Sequence, residues 1–387
     1  MGIKNIENFY PLSPMQQGML FHSLVAPQSG VYFEQFSYTF KGDFSIAAFD
    51  RAWQQVIKRH PVLRTCFAWE GLKEPVQIVH RQVKLPLIQK DWRHLSPSQQ
   101  QEKLEVFLEC DRDRDFQLTV PPLMRLMLIQ LADNYYHFTW SFHHLLLDGW
   151  SVPLIFQEVF AFYQAFSKGQ DISLASPRPY RDYIVWLQKQ NLAEAEVFWR
   201  RMLNGFIAPT KLWRNQKREQ TANDSYNCQK ISLKASTTSA LQSLSKKHQL
   251  TVNTLVQGAW ALLLSRYSNE EDIVFGATTS GRPSTLASSE SMIGLFINTL
   301  PVRVRVDSEA FLLPWLKQIQ AQQIESRQYE YTSLAAIQGW SEVSKGIPLF
   351  ESIVVFENFP VDEIPLANSN LNLEIQAFHS YEKLTIP

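Results

Sequence analysis

A chain of 387 residues, 45% of them hydrophobic, carries enough apolar side chain for a large core and enough length for two lobes. Lysine plus arginine and aspartate plus glutamate each number 37, so no net field favours nucleic acid or an anionic membrane as partner. Three scattered cysteines without CxxC spacing argue against a disulfide framework or a zinc ribbon and fit a cytoplasmic location, and no apolar run approaches membrane-spanning length.

Residues 11–24, PLSPMQQGMLFHSL, open with turn chemistry and continue with Met15, Met19, Leu20 and Leu24 at helical spacing. Val31 to Phe40 alternates as a strand does. Ser45 then caps a helix whose Ile46, Phe49, Trp53, Val56 and Ile57 form one stripe, and Pro61 in RHPVLRTCF, residues 59–67, ends it ahead of another strand. A strand around Val76 to Val79 follows, then a polar helix from Ser96 and Pro97, then Leu123 to Leu131 as a buried strand. Phe138, Trp140 and Phe142 alternate with Thr139 and Ser141, which predicts a half-buried strand with His143 and His144 at its end. Side chains alternate in extended chain, so these two histidines should face opposite ways. Ser151 is the expected N-cap of the next helix, with Pro153 in its first turn.

The tract from Asp171 to Asp224 holds an amphipathic helix with Trp186, a second helical stretch around Trp199, and then the polar run KLWRNQKREQTAND, a composition shift that suits a connection between lobes. Beyond it the pattern predicts a strand at Ile231 to Leu233, a helix over Ser236 to His248, and a helix over Thr251 to Tyr267 apolar on most faces and hence buried. Asp272 to Thr279 and Ile293 to Val306 read as strands separated by the loop SGRP. A helix from Pro314 to about Tyr329 and a last strand within PLFESIVVFENFP, residues 348–360, complete the series.

Chemistry concentrates in HHLLLDGW, residues 143–150. An imidazole, with a reference pKa of about 6.5, is suited to accept a proton or hold an amine, although paired histidines also occur as hydrogen-bonded core residues. His137, His143, His144 and Asp148 supply metal-ligand types, yet HExxH is absent and no cysteine is near, so no metal site is expected. Neither GxSxG nor a phosphate-binding glycine loop occurs. Arg64, between Leu63 and Thr65 at the entry to a strand, needs a buried partner.

HHLLLDGW resembles the HHxxxDG signature of the condensation domains of nonribosomal peptide synthetases, in the chloramphenicol-acetyltransferase-like superfamily. LSPMQQGMLF, RHPVLRTCF, YRDYIVWLQ, IGLFINTLPVRV and PLFESIVVFEN are similar to that family in order and spacing, and together they cover nearly the whole chain. The resemblance implies an α/β fold of two-layer sandwiches: two acetyltransferase-like lobes in a V-shaped pseudodimer with a tunnel between them. Residues 1–175 would form the N-terminal lobe, 176–225 the connection, and 226–387 a C-terminal lobe shortened at its end, since the family normally continues past YEKLTIP.

The activity implied is amide formation, with the amine of a carrier-bound acceptor attacking a carrier-bound donor thioester. Donor and acceptor peptidyl carrier domains would supply phosphopantetheine arms, an adenylation domain would be a neighbour, and no cofactor would be bound by the domain itself. His144 would be the active histidine, His143 a support for the loop, Asp148 structural, Gly149 a source of backbone at the reacting centre, and Arg64 the partner of Asp148. MQQGMLFHSL and the three leucines before Asp148 are similar to the subgroup that takes a D-configured donor. The alternatives are an acyltransferase to a soluble amine or alcohol and a catalytically silent carrier-docking module.

Overall fold

The computed structural model describes residues 5–27, 29–211, 228–357 and 372–383. Its largest core is built on a five-stranded sheet in the order β11 (Leu373–Lys383), β2 (Phe33–Gly42), β7 (Tyr135–His143), β6 (Met124–Ala132), β5 (Leu87–Asp91). All neighbours are antiparallel except β5 and β6. On this sheet lie α2 (Ile46–Arg59), opened by Ser45 accepting the Ala48 amide, and α4 (Ser151–Ser167). Their aromatic stripes meet β7: the Phe49 and Phe138 ring centroids are 5.0 Å apart, Trp53 and Trp140 5.1 Å, and Phe156 and Trp140 5.4 Å. Each such ring, fully buried, contributes roughly 1.5–3 kcal/mol, which fixes the register of the strand that carries the histidines.

The polar face of β7 is not solvated as its alternation predicts, since every residue from Tyr136 to His143 is buried. Beyond that face stands α3 (Pro97–Arg112), from which Asp111 accepts from Ser141 Oγ at 2.5 Å, Arg125 Nε at 2.7 Å and Gln35 Nε2 at 3.0 Å. Polar residues on a strand therefore signalled a hydrogen-bonded second layer rather than water. A small antiparallel sheet, β1 (Ile6–Pro11), β4 (Val76–His80) and β3 (Thr65–Ala68), sits beside α1 (Pro14–Val25).

In the second half, β10 (Ile353–Val354), β8 (Asp272–Thr279) and β9 (Asn298–Arg305) form a three-stranded sheet covered on both faces. Ile273 and Phe275 pack with α8 (Val252–Ser268) and α9 (Leu312–Ser326), while Val274 and Leu300 pack with α6 (Leu192–Leu203) and α10 (Leu334–Trp340). Between the halves, α5 (Arg181–Leu187) belongs to the first core and α6 to the second. The helix α7 (Ala235–His248) precedes α8.

Several expectations change. Leu373–Lys383, read with the second lobe, is an edge strand of the first half's sheet, aligned on β2 from Leu373 opposite Gly42 to Lys383 opposite Phe33. Its polar residues on both faces hid it. Ile231 and Leu233 are exposed coil, with no strand alongside among the described residues. Only one face of α8 is covered, leaving Leu263 and Tyr267 in solvent. The strand expected from Ile293 begins at Asn298, and the one expected over 348–360 is two residues long with 358–360 outside the described residues. All of KLWRNQKREQTAND after Lys211 also lies outside them. No helix among the described residues is long and apolar enough to cross a membrane.

Candidate active site

The strand β7 ends where the chain turns through His143 to Trp150, and the two histidines face opposite ways as the alternation requires. His143 points to the side of Tyr32 and Phe116, whose rings lie 6.4 and 6.3 Å away, and borders a smaller cavity of about 210 Å³; its Nδ1 accepts the Leu145 amide at 3.1 Å. Burial first, and then the charge of His144, pushes its pKa down to about 3, so it is neutral at physiological pH. His144 points the other way, into a cavity of about 400 Å³. Its Nε2 lies 3.6 Å from Glu382 Oε1 and 3.9 Å from Glu34 Oε1, and its buried Nδ1 has no hydrogen-bond partner. The backbone amide of His144 donates to the carbonyl of Tyr32, a residue in the left-handed region at φ 63°.

Asp148 is fully buried and bonded throughout. Its Oδ1 accepts from the Ser151 amide at 2.9 Å, the Ser151 hydroxyl at 2.7 Å and Arg282 Nη2 at 3.0 Å, and its Oδ2 accepts from the Phe296 amide at 3.0 Å. The helix α4 thus begins at Ser151 with the Asp148 carboxylate as its acceptor, and Ser151 is not the cap. Asp148 N also donates to Gly294 O, so the stretch Ile293–Ile297 is pinned to the loop instead of joining β9. Gly281 makes the approach of the SGRP loop possible: at φ +59° a Cβ there would fall 1.7 Å from Phe296 O. Tyr180 and Tyr183 of YRDYIVWLQ support the other side of this stretch, with ring centroids 5.3 and 4.5 Å from Phe296.

The expected pairing of Arg64 with Asp148 does not occur. Arg64 follows α2 in a short 3-10 turn and faces the small sheet, where its Nη1 bonds Glu7 Oε2 at 2.7 Å and the carbonyl of His80, and its Nε bonds Ile57 O at 3.1 Å. The buried partner of Asp148 is Arg282, whose guanidinium lies 4.2 Å from the Phe296 ring centre. Arg282 was missed because SGRP reads as a plain loop.

Gln16, from LSPMQQGMLF, was missed as well. It closes a capping box with Ser13 and sends its Nε2 to Leu145 O at 3.0 Å, holding the histidine loop from α1. Gly149 lines the cavity with Met15, Gly18 and Met19 of α1, Glu34 of β2, Thr278 and Thr279 of β8, Glu357 and Glu382. Both halves of the chain therefore build its wall.

Glu34 is held well above the usual carboxylate range, first by burial, then by the Glu382 charge and a side-chain hydrogen bond with Glu382, and last by the Glu357 charge, while Glu357 is raised by burial and by Glu382. The metal-ligand types noted in the sequence do not converge: His143 faces away, Asp148 is taken by Arg282, and His137 Nδ1 lies 3.4 Å from Thr39 Oγ1. Among the described residues, Glu34, His144 and Glu382 are the group close enough to hold a small cation together.

The imidazole of His144 at the end of β7 thus faces a cavity walled by both halves of the chain. The Condensation domain family model matches residues 6–384, and the chain belongs to that family. It is 51% identical over 361 residues to a linear gramicidin synthase subunit of Brevibacillus parabrevis, covering 93% of this chain and 7% of that protein. In fold it is similar to the condensation domain from the monacolin K polyketide synthase, with a TM-score of 0.78 at 17% identity over 98% of this chain and 88% of that one. It is also similar to a four-domain nonribosomal peptide synthetase bound to AMP and glycine, with a TM-score of 0.75 at 19% identity, 98% of this chain and 29% of that one being covered. The chain thus spans a small part of the gramicidin synthase protein it matches.

Proposed function

We propose that this chain joins two carrier-borne substrates, the α-amine of an acceptor aminoacyl thioester attacking the carbonyl of a donor acyl or peptidyl thioester. The new C–N bond replaces the C–S bond, one amine proton ends on the departing sulfur, and one stays on the amide nitrogen. The reading rests on His144 Nε2 facing a cavity walled by both halves of the chain. His144 holds the amine and takes its proton, His143 supports the loop, Asp148 locks it to the second half, and Gly149 leaves backbone at the reacting centre. Positioning two tethered substrates can contribute about 7–11 kcal/mol, against about 10²–10⁴ in rate for one general base, so the channel supplies most of the acceleration.

In this reading the lobes follow the division 1–175, 176–225 and 226–387, with β11 returned to the first, and they form a V with the channel between them. Donor and acceptor peptidyl carrier domains reach it from its two mouths with phosphopantetheine arms, an adenylation domain stands nearby, and no resident cofactor is used. Support comes from the gramicidin synthase protein of which this chain matches 7% and from the multidomain synthetase with the same fold. The donor is D-configured, a reading favoured by Met15, Gly18 and Met19 of the subgroup-like stretch lining the cavity.

The test is peptide formation by His144→Ala with both carriers loaded. Loss of turnover with carrier binding retained is expected, and an unchanged rate would remove His144 from the mechanism. Free amines that compete equally with the loaded acceptor carrier would favour a soluble acceptor, and a wild-type chain that binds carriers without turnover would be a docking module.

A further inference from the structure

We propose that Tyr32 is a positioning residue for amide formation: its left-handed backbone, held by a hydrogen bond from its hydroxyl to His22, fixes the His144 amide and with it the direction in which the His144 ring enters the cavity. The proposal deepens the amide-forming reading and rests on it.

The need for such a residue follows from what the His144 ring lacks. Among the described residues no hydrogen bond orients it: Nδ1 is buried without a partner, and the nearer of the two carboxylate oxygens beside Nε2, on Glu382, stands at 3.6 Å, beyond hydrogen-bond distance. A working imidazole is ordinarily held through its second nitrogen. Here the holding falls to the backbone. The His144 amide donates to Tyr32 O at 2.8 Å, and the His144 carbonyl accepts the Leu147 amide at 3.3 Å. The second bond stays within the loop, whereas the first ties the loop to another part of the chain.

Tyr32 stands where a strand pairing would continue. The ladder between β2 and β7 runs as far as Phe33 opposite His143, so Tyr32 is the residue next in line to meet His144. At φ 63° it leaves the extended course for the left-handed region, which bulky side chains seldom adopt and which persists only where the surroundings over-determine it. They do so here from several directions. The Tyr32 amide donates to the carbonyl of Lys383 in β11 at 2.6 Å, and its own carbonyl accepts from His144. Its ring stacks on His22 of α1, with centroids 6.1 Å apart and planes 8° from parallel, and its hydroxyl lies 2.6 Å from His22 Nδ1. The residue is buried, and both its ring and His22 border the cavity that His144 faces.

The direction of the hydroxyl bond is settled by environment. Burial holds the Tyr32 hydroxyl above its usual pKa and His22 below its own, so at neutral pH the hydroxyl donates and Nδ1 accepts. That bond fastens the strained residue to α1, and removing one oxygen atom breaks it.

The experiment pairs turnover with a direct reading of the bond between Tyr32 and His144. Single-turnover amide formation with both carriers loaded is measured beside hydrogen exchange of the His144 amide, followed by NMR on the full chain without substrate. Tyr32→Phe keeps the ring and should speed exchange at His144 about tenfold, lower kcat about tenfold and leave KM for the loaded carriers within about twofold, as expected for one hydrogen bond spent on position. His22→Leu should do the same. His22→Asn, whose Oδ1 replaces Nδ1 as acceptor, should recover most of both losses. Equal losses in His22→Asn and His22→Leu would overturn the proposal, since His22 would then act otherwise than through Tyr32. So would a drop in exchange protection spread over the whole chain in Tyr32→Phe, the mark of a merely structural residue. Normal turnover in the wild type that Tyr32→Phe leaves unchanged would overturn the positioning role alone, whereas a wild type without turnover would defeat the amide-forming reading and this proposal with it.

Discussion

The two sides of the histidine loop follow different rules. On the His143 side the ring sits among Tyr32 and Phe116, beside the smaller cavity, and its Nδ1 accepts the Leu145 amide. On the His144 side the ring faces a cavity with an unpartnered Nδ1, an unpartnered Glu34 oxygen and two further carboxyl groups. Residues adjacent in sequence thus differ in their bonding: one commits Nδ1 to the loop backbone, the other keeps Nδ1 without a partner. An unsatisfied buried group is expensive, and it persists where binding repays it.

The largest effect should come from His144→Ala, which removes the open side's imidazole and should lower amide formation about 10²–10⁴-fold with little change in melting temperature, as single-turnover rates and thermal unfolding will report. An equal loss of stability would erase the contrast between the two sides. Next in size is the clamp between the halves. Arg282→Met strands the buried Asp148 charge and should destabilise by about 3–5 kcal/mol in urea unfolding. Arg64→Met should cost about 1–3 kcal/mol, because Glu7, its partner, reaches water and the loss is chiefly hydrogen bonds to carbonyls. Should the two variants rank the other way, Arg282 would not be the member that couples the halves.

The His143 side predicts a pH dependence. The pKa of His143 falls from 6.5 to about 3 on folding because burial penalises its charged form. Between these values the unfolded chain binds the extra proton, so this contribution to stability is complete above about pH 6.5 and is lost as pH falls toward 3. Comparing wild type with His143→Asn at pH 7.5 and pH 5 should show a shallower loss in the variant, by on the order of 1–2 kcal/mol. Parallel pH curves would mean that the ring is not held neutral by burial. The smallest effect should come from Gln16→Leu, which breaks the contact to Leu145 O and should cost about 1 kcal/mol with a modest loss of turnover.

Legibility varied with the range of the interaction. Ser45 and the apolar stripe behind it gave α2 directly, and the alternation in β7 gave the opposed histidines, because both are local consequences of chain geometry. Asp148 was flagged by its motif, but its partner was assigned to Arg64 when it is Arg282, 134 residues away. Charge tells that a partner is needed without telling which cation the topology delivers. Glu34 passed as an ordinary strand residue, since its burial depends on β11 closing the sheet edge.

The sequence by itself determined the element types, the position of the histidine loop and, through its ordered motifs, the condensation-domain family, because these reside in local periodicity and short fixed spacings. Tertiary structure alone decided that the last strand pairs with β2, that Arg282 locks Asp148, and that three carboxyl groups gather around His144. Those outcomes turn on contacts between residues more than a hundred positions apart, whose partners are selected by packing and burial and leave no mark in any single stretch of chain.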